Sequence, residues 1–313
     1  MNRICTAALA AFALSLVLCA LLRPLLRRLK AGQYILGYVK EHKDKVGTPT
    51  MGGLAFVCSA VIVGLCFCGT SSSEVNLTLV ITAGYCLVGF CDDLLKICRK
   101  DNLGLKPYQK IIFQVAIAAI AAVYCYVNGI TSVNIPFFDI SVDIFWGIIP
   151  AVMFVVLATV NCVNLTDGLD GLAGGTSFAY LAAMGALTVI SSGRLSLLCF
   201  SMCGALAAFL VFNVNRASVF MGDTGSLARG AFIGCVSVFS GNMLYIPVVG
   251  IMFVVSGISV IVQVIYYKRT KRRVFLMAPV HHHFQMKGLS EGKITYVYAV
   301  ITAVMGLACL SLA

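Results

Sequence analysis

The sequence predicts an all-α polytopic membrane protein, a single integral-membrane domain over residues 1–313. Three observations carry that expectation. The chain is 60% hydrophobic and 11% charged, against about 25% charged in an ordinary soluble domain. Its mean hydropathy is +0.97. Its apolar residues gather in ten runs, and its Lys and Arg collect in alternate gaps between those runs.

The ten predicted transmembrane helices cover roughly 4–22, 53–69, 77–91, 111–127, 144–160, 172–190, 195–213, 227–240, 244–266 and 294–312. A span of the hydrocarbon core takes ~20 residues. The second, third and eighth runs are short, so their ends must extend or tilt. The first run follows Arg3 in the manner of a signal peptide. It is long for that role, and Arg23 follows it, so it reads as a retained span. Pro247, Gly250 and Gly257 in the ninth run offer bends, and a bend near the inner leaflet would open a groove for a lipid tail. The external segment 128–143 alternates Val133, Ile135 and Phe137 around Pro136, which suits a short hairpin.

Charge sets the orientation. Of the 23 Lys and Arg, all but Arg3 and Arg194 fall in or flank the gaps after spans 1, 3, 7 and 9. The positive-inside rule makes those gaps cytoplasmic and both termini external. The net charge of +11 is therefore a topology signal, and no nucleic-acid partner is expected. The fourteen Cys are scattered through the spans without metal-ligand spacing. They read as small apolar residues, and no disulfide is expected.

Five polar constellations fall on the predicted inner face. Asn161–Gly174, NCVNLTDGLDGLAG, places Asn161, Asn164, Asp167 and Asp170 between two apolar runs. Carboxylates there are costly unless they meet water, a metal or a polar ligand. Asn164 or Thr166 is a candidate cap for the next helix. Asp92 and Asp93 end span 3. Adjacent helical side chains point about 100° apart, so one can approach a cation while the other takes a second role, as base or support. Lys96 lies one turn on and can screen both. Asn213–Ser226 sets Asp223 between glycines at a helix start, a natural anion site, with Thr224 and Ser226 as candidate caps and Phe220, in the adjacent polar loop, placed to stack on a base or sugar. Ala278–Phe284 carries His281, His282 and His283, suited to phosphate. Lys45–Gly53 adds Lys45 and Thr50 as donors. Hard oxygen ligands without paired Cys favour Mg²⁺ or Mn²⁺. The chemistry this implies is phosphoryl transfer involving a lipid phosphate. A proton-coupled transporter also carries intramembrane Asp, but here the polar groups crowd one face and no inverted repeat is apparent.

At GTPTMGG (47–53), DDLLK (92–96), NLTDGLDGLA (164–173), FMGDTGS (220–226) and MAPVHHHF (277–284) the chain resembles the polyprenyl-phosphate N-acetylhexosamine-1-phosphate transferases over essentially its whole length. The family pattern continues with Glu after HHHF, where this chain has Gln285. The resemblance implies a ten-span, dimeric protein of the bacterial plasma membrane with its active site at the cytoplasmic face. It implies UDP-N-acetylmuramoyl-pentapeptide and undecaprenyl phosphate as substrates, lipid I and UMP as products, and Mg²⁺ as cofactor. By motif match Asp223 would ligate the metal, Asp92 would be base or nucleophile, and Asp93 would support them. Asn164, Asp167, Asp170 and Phe220 would lie near the nucleoside, and His281, His282 and His283 near the phosphates or sugar. Asn161 and Lys96 join the candidate site with these. Lys45, Thr50 and Lys110 carry over more weakly.

Overall fold

The computed structural model describes residues 2–29, 47–69, 71–99, 104–138, 140–214 and 216–312. Its helices are α1 (Asn2–Arg28), α2 (Gly53–Cys68), α3 (Ser73–Arg99), α4 (Pro107–Val127), α5 (Ile148–Leu165), α6 (Leu172–Leu187), α7 (Gly193–Asn213), α8 (Gly222–Phe239), α9 (Tyr245–Val249), α10 (Ile251–Thr270), α11 (Val280–Met286) and α12 (Glu291–Ser311). Among the described residues, α1, α3, α4, α5 with the turn before it, α7, α10 and α12 are long and apolar enough to cross a membrane. The all-α polytopic architecture holds.

The lengths differ from expectation in an informative way. The third run is not short: α3 has 27 residues, because its helix continues through Asp92 and Asp93 to Arg99. The sixth run stops early, and α6 has 16 residues, ending before Thr188. The ninth run breaks at Gly250 between α9 and α10. That break lies at the end of the bundle away from the acidic residues, not near them as the groove expectation required. There the antiparallel pair β1 (Ser132–Asn134) and β2 (Ser141–Asp143) forms the expected hairpin. It is tied to the loop before α9 by Asn134 N to Gly241 O (2.8 Å) and Asn134 Nδ2 to Asn242 Oδ1 (2.9 Å).

Helix α8 is the axis of the fold. Every residue from Thr224 to Phe239 is buried, including Arg229. Gly89 of α3 lets it in: a Cβ there would collide with the Asp223 carbonyl and the Thr224 amide. Close approach of two backbones needs a residue without a side chain. The result places the start of α8 against the second half of α3. Its 18 residues carry the chain about 27 Å to the hairpin end.

Candidate active site

Three carboxylates meet where α3 and α8 cross. Oxygens of Asp92, Asp93 and Asp223 all lie within 4.8 Å of one another. Asp223 is the hub. Its Oδ1 accepts from Asn164 Nδ2 at 2.8 Å, and its Oδ2 accepts from Lys96 Nζ at 2.9 Å and Lys110 Nζ at 2.8 Å. Asn164 also donates to Ser226 Oγ at 2.7 Å. Lys96 lies 2.6 Å from Asp92 Oδ2 and 3.9 Å from Asp93 Oδ1, so it does bridge the pair. Asp92 Oδ1 accepts from the Leu105 amide at 2.8 Å.

Asp93 faces elsewhere. It accepts from Asp223 N (3.2 Å), Thr224 N (3.0 Å) and Thr224 Oγ1 (2.7 Å). The first amides of a helix have no intrahelical acceptor, and here a carboxylate from another helix supplies one. Thr224 and Ser226 therefore do not cap α8 themselves. Gly222 adopts φ +72°, and a Cβ on it would press against Asp93 Oδ2 and Thr50 Oγ1 (2.6 Å for the latter). Thr50 is buried and thus borders the cluster. Its segment is held by Phe220 N to Pro49 O (2.7 Å) and Gly52 N to Phe220 O (2.9 Å), which leaves Phe220 half-buried beside Asp223. All-oxygen carboxylate donors at this spacing fit a hard divalent cation.

Residues 75–241 match glycosyl transferase family 4. The phospho-N-acetylmuramoyl-pentapeptide-transferase of Clostridium perfringens is 40% identical over 304 residues, covering 96% of this chain and 94% of that protein. Its namesake in Bacillus subtilis is 40% identical over 308 residues, covering 95% and 94%. That of Clostridioides difficile is 39% identical over 303 residues, covering 95% and 94%. The chain belongs to the phospho-N-acetylmuramoyl-pentapeptide-transferase group of glycosyl transferase family 4. It is accordingly a phosphosugar transferase.

Other candidate residues of the transferase are placed less directly. Asn161 lies a turn deeper than Asn164 and is engaged by Gln114 Oε1 (2.9 Å) and Leu157 O (2.8 Å). It ties α5 to α4, and its side-chain bonds go there rather than to the carboxylates. Asp170 braces loops. Its Oδ2 accepts from Ala217 N (2.8 Å), its amide donates to Glu291 Oε2 (3.1 Å), and its carbonyl accepts from Thr295 Oγ1 (3.1 Å). The start of α6 has Gly171, not Asn164 or Thr166, at its N-cap, and Asn213 Oδ1 accepts from the Gly171 amide at 3.1 Å. His283 Nδ1 accepts from the Leu276 amide at 3.1 Å, and its ring meets Phe275 edge-on at 5.8 Å. His281 is fully buried against His282 (4.4 Å between ring centres) and Tyr298. Burial, with His282 beside it, pushes the His281 imidazole down to about 3, so it is neutral at physiological pH. Lys45 lies outside the described residues.

Sequence reasoning missed Arg229. It counted as a loop charge, yet it sits in α8, fully buried, with no hydrogen-bond partner for its three guanidinium nitrogens among the described residues. A buried charge is costly unless another compensates. Asp167, in the loop between α5 and α6, is within its electrostatic reach. Burial pushes the Asp167 carboxyl up to about 6, Arg229 opposes that rise, and the Asp223, Asp93 and Asp170 charges add to it. A carboxyl so placed is ionised above about pH 6 and protonated below it. Arg229→Met should therefore move the acid limb of turnover to higher pH, and Asp167→Asn should erase that shift. An unmoved limb in Arg229→Met would show that the two charges are not coupled.

Proposed function

We propose that this transferase moves phospho-N-acetylmuramoyl-pentapeptide from UDP-N-acetylmuramoyl-pentapeptide to undecaprenyl phosphate, giving lipid I and UMP in peptidoglycan synthesis. The observation that carries the reading is the meeting of Asp92, Asp93 and Asp223 with Lys96 and Lys110 at one end of an apolar bundle. A diphosphate and a lipid phosphate both need cations at that height. The membrane arrangement is ten spans, with α2, α6 and α8 joining the seven long ones. The termini are external, the site faces the cytoplasm of a bacterial plasma membrane, and the working form is a homodimer. Positive-inside charge supports the orientation; family resemblance supports the dimer.

Asp223 would hold Mg²⁺, with Asp92 beside it and Asp93 in support; when bound, the ion would neutralise diphosphate charge and stabilise departing UMP. The chain's own groups do the rest. Lys96 and Lys110 already converge on Asp223 and supply positive charge for phosphate oxygens. Asn164 fixes the Asp223 carboxylate in orientation. Phe220 offers a ring to uracil beside the first turn of α8. Asp92 has one oxygen on the Leu105 amide and one on Lys96. This restraint favours orientation or deprotonation of the lipid phosphate over attack by Asp92 itself. A lipid phosphate is already largely ionised near neutral pH, so it attacks the β-phosphate of the UDP-sugar directly.

The experiment uses detergent-solubilised protein, Mg²⁺, the UDP-sugar and a polyprenyl phosphate. UMP and a new lipid-linked sugar should appear together. Omitting the lipid should stop UMP release and leave labelled UMP unexchanged. Exchange without lipid, lost in Asp92→Asn, would favour a phosphoryl-enzyme route. Absence of both products would reject the transferase assignment.

A further inference from the structure

The segment between α4 and α5 carries an apolar surface that the fold leaves uncovered. Phe137, Phe138, Ile140, Val142, Phe145 and Trp146 are all exposed, Trp146 to 74%. Large exposed apolar patches mark interaction surfaces. The hairpin that bears them is well held. Its tip closes through Ile135 N to Ile140 O (3.0 Å) and Phe138 N to Ile135 O (3.3 Å), and its base through Ile144 N to Thr131 O (3.1 Å). Val133 is buried in the core of the bundle, and Asn134 makes the bonds to Gly241 and Asn242 described above. The inner side is thus engaged, and the aromatic rings remain outside.

We propose that this hairpin lies in the headgroup region of the lipid leaflet at its end of the bundle, with Phe137, Phe138, Phe145 and Trp146 as its anchors. Three observations select lipid as the occupant. The apolar span that contains α5 begins at Phe145, so Phe145 and Trp146 stand at a span end, where Trp is enriched in the interface. The other root of the hairpin is apolar too: Tyr126 and Val127, at the end of α4, are 51% and 73% exposed. Both roots therefore sit at bilayer height. The strands have three residues each, about 10 Å, against an interfacial layer of about 5–8 Å beyond the hydrocarbon. A hairpin that short, rooted in the layer, keeps its tip within reach of it. Residues 128–147 also contain no Lys or Arg, so the contact is apolar and not a charge attraction to anionic headgroups. Asp143 is engaged locally, its Oδ1 accepting from the Phe145 amide at 2.9 Å. The consequence is mechanical. The hairpin holds the turn that follows α8, so a lipid anchor here fixes the depth of the helix whose other end carries Asp223. The anchor is independent of which substrates the transferase takes.

Trp146 is the sole Trp of the chain, so its fluorescence reads the surface without labelling. The full chain is reconstituted in phosphatidylcholine vesicles, plain or brominated on the acyl chain near the headgroup or near the chain end, with iodide supplied on both sides of the membrane. Trp146 emission should be blue-shifted from that of free tryptophan. It should lose most of its intensity to lipid brominated near the headgroup, lose less to lipid brominated near the chain end, and resist iodide. Trp146→Phe combined with Phe138→Trp moves the probe to the hairpin tip and should behave alike. Both readings should hold when phosphatidylglycerol is added or salt is raised. Stronger quenching by iodide than by brominated lipid, at either probe, overturns the proposal. Protection from both quenchers overturns it too, and loss of that protection on diluting the protein in lipid would assign the surface to a second copy of the chain. Should Phe138→Trp fail to fold, Ile140→Trp in the same background reads the tip.

Discussion

Asp223→Asn should lower turnover by about 10³-fold or more, on the scale of removing a preorganised charge from a catalytic site. Among the described residues, it is the one carboxylate of the cluster on which two lysines converge. One oxygen holds Asn164 and the other holds Lys96 and Lys110. Asparagine keeps the shape and one acceptor, so the bond from Asn164 survives. Its NH₂ then points at two ammonium groups that cannot accept. The local positive charge is left uncompensated, and a metal ion loses its central ligand. The measurement is UMP release over a Mg²⁺ titration, with gel filtration to verify the folded state. Near-normal rates at ordinary Mg²⁺ would reject Asp223 as the principal ligand.

Asp93→Ala should act first on stability. Asp93 is 3% exposed and accepts three hydrogen bonds at the start of α8, two from backbone amides. Losing a helix cap costs up to about 2 kcal/mol. Leaving further buried donors without an acceptor adds about 1–3 kcal/mol. A total on the order of 3 kcal/mol or more is expected, read as a lowered unfolding temperature in detergent. Turnover should fall with it, because the same bonds aim Asp223. Asp93→Asn retains one acceptor oxygen and should sit between Ala and the unaltered protein. An unchanged unfolding temperature in Asp93→Ala would mean that another group caps α8.

Much of the site was legible because its chemistry is local in sequence. Asp92, Asp93, Asp223 and Asn164 stand out as polar groups beside long apolar runs, where burial is costly unless they serve a purpose. The i, i+4 spacing placed Lys96 on Asp92 without any tertiary information. The hairpin at 132–143 was legible from alternation around a proline. Helix lengths were less so. Hydropathy ended the third span at the first charges, whereas α3 continues because Lys96, one turn on, pairs with Asp92, and Asp223 across the bundle pairs with Lys96.

The sequence by itself determined the membrane class, the ten apolar segments, the clustering of basic residues at alternate gaps and the motifs that mark the transferase family. These follow from composition, spacing and charge, which need no knowledge of neighbours. The tertiary structure alone decided the division of labour. It turned Asp93 to the amides of α8 while Asp92 faces Leu105 and Lys96. It assigned Asn161 to Gln114, set His283 under the Leu276 amide and buried Arg229. The physical reason is common to all of them. A side chain's direction on its helix is fixed by packing, and its partners lie on elements up to 131 residues away, as in the bond between Asp93 and Thr224.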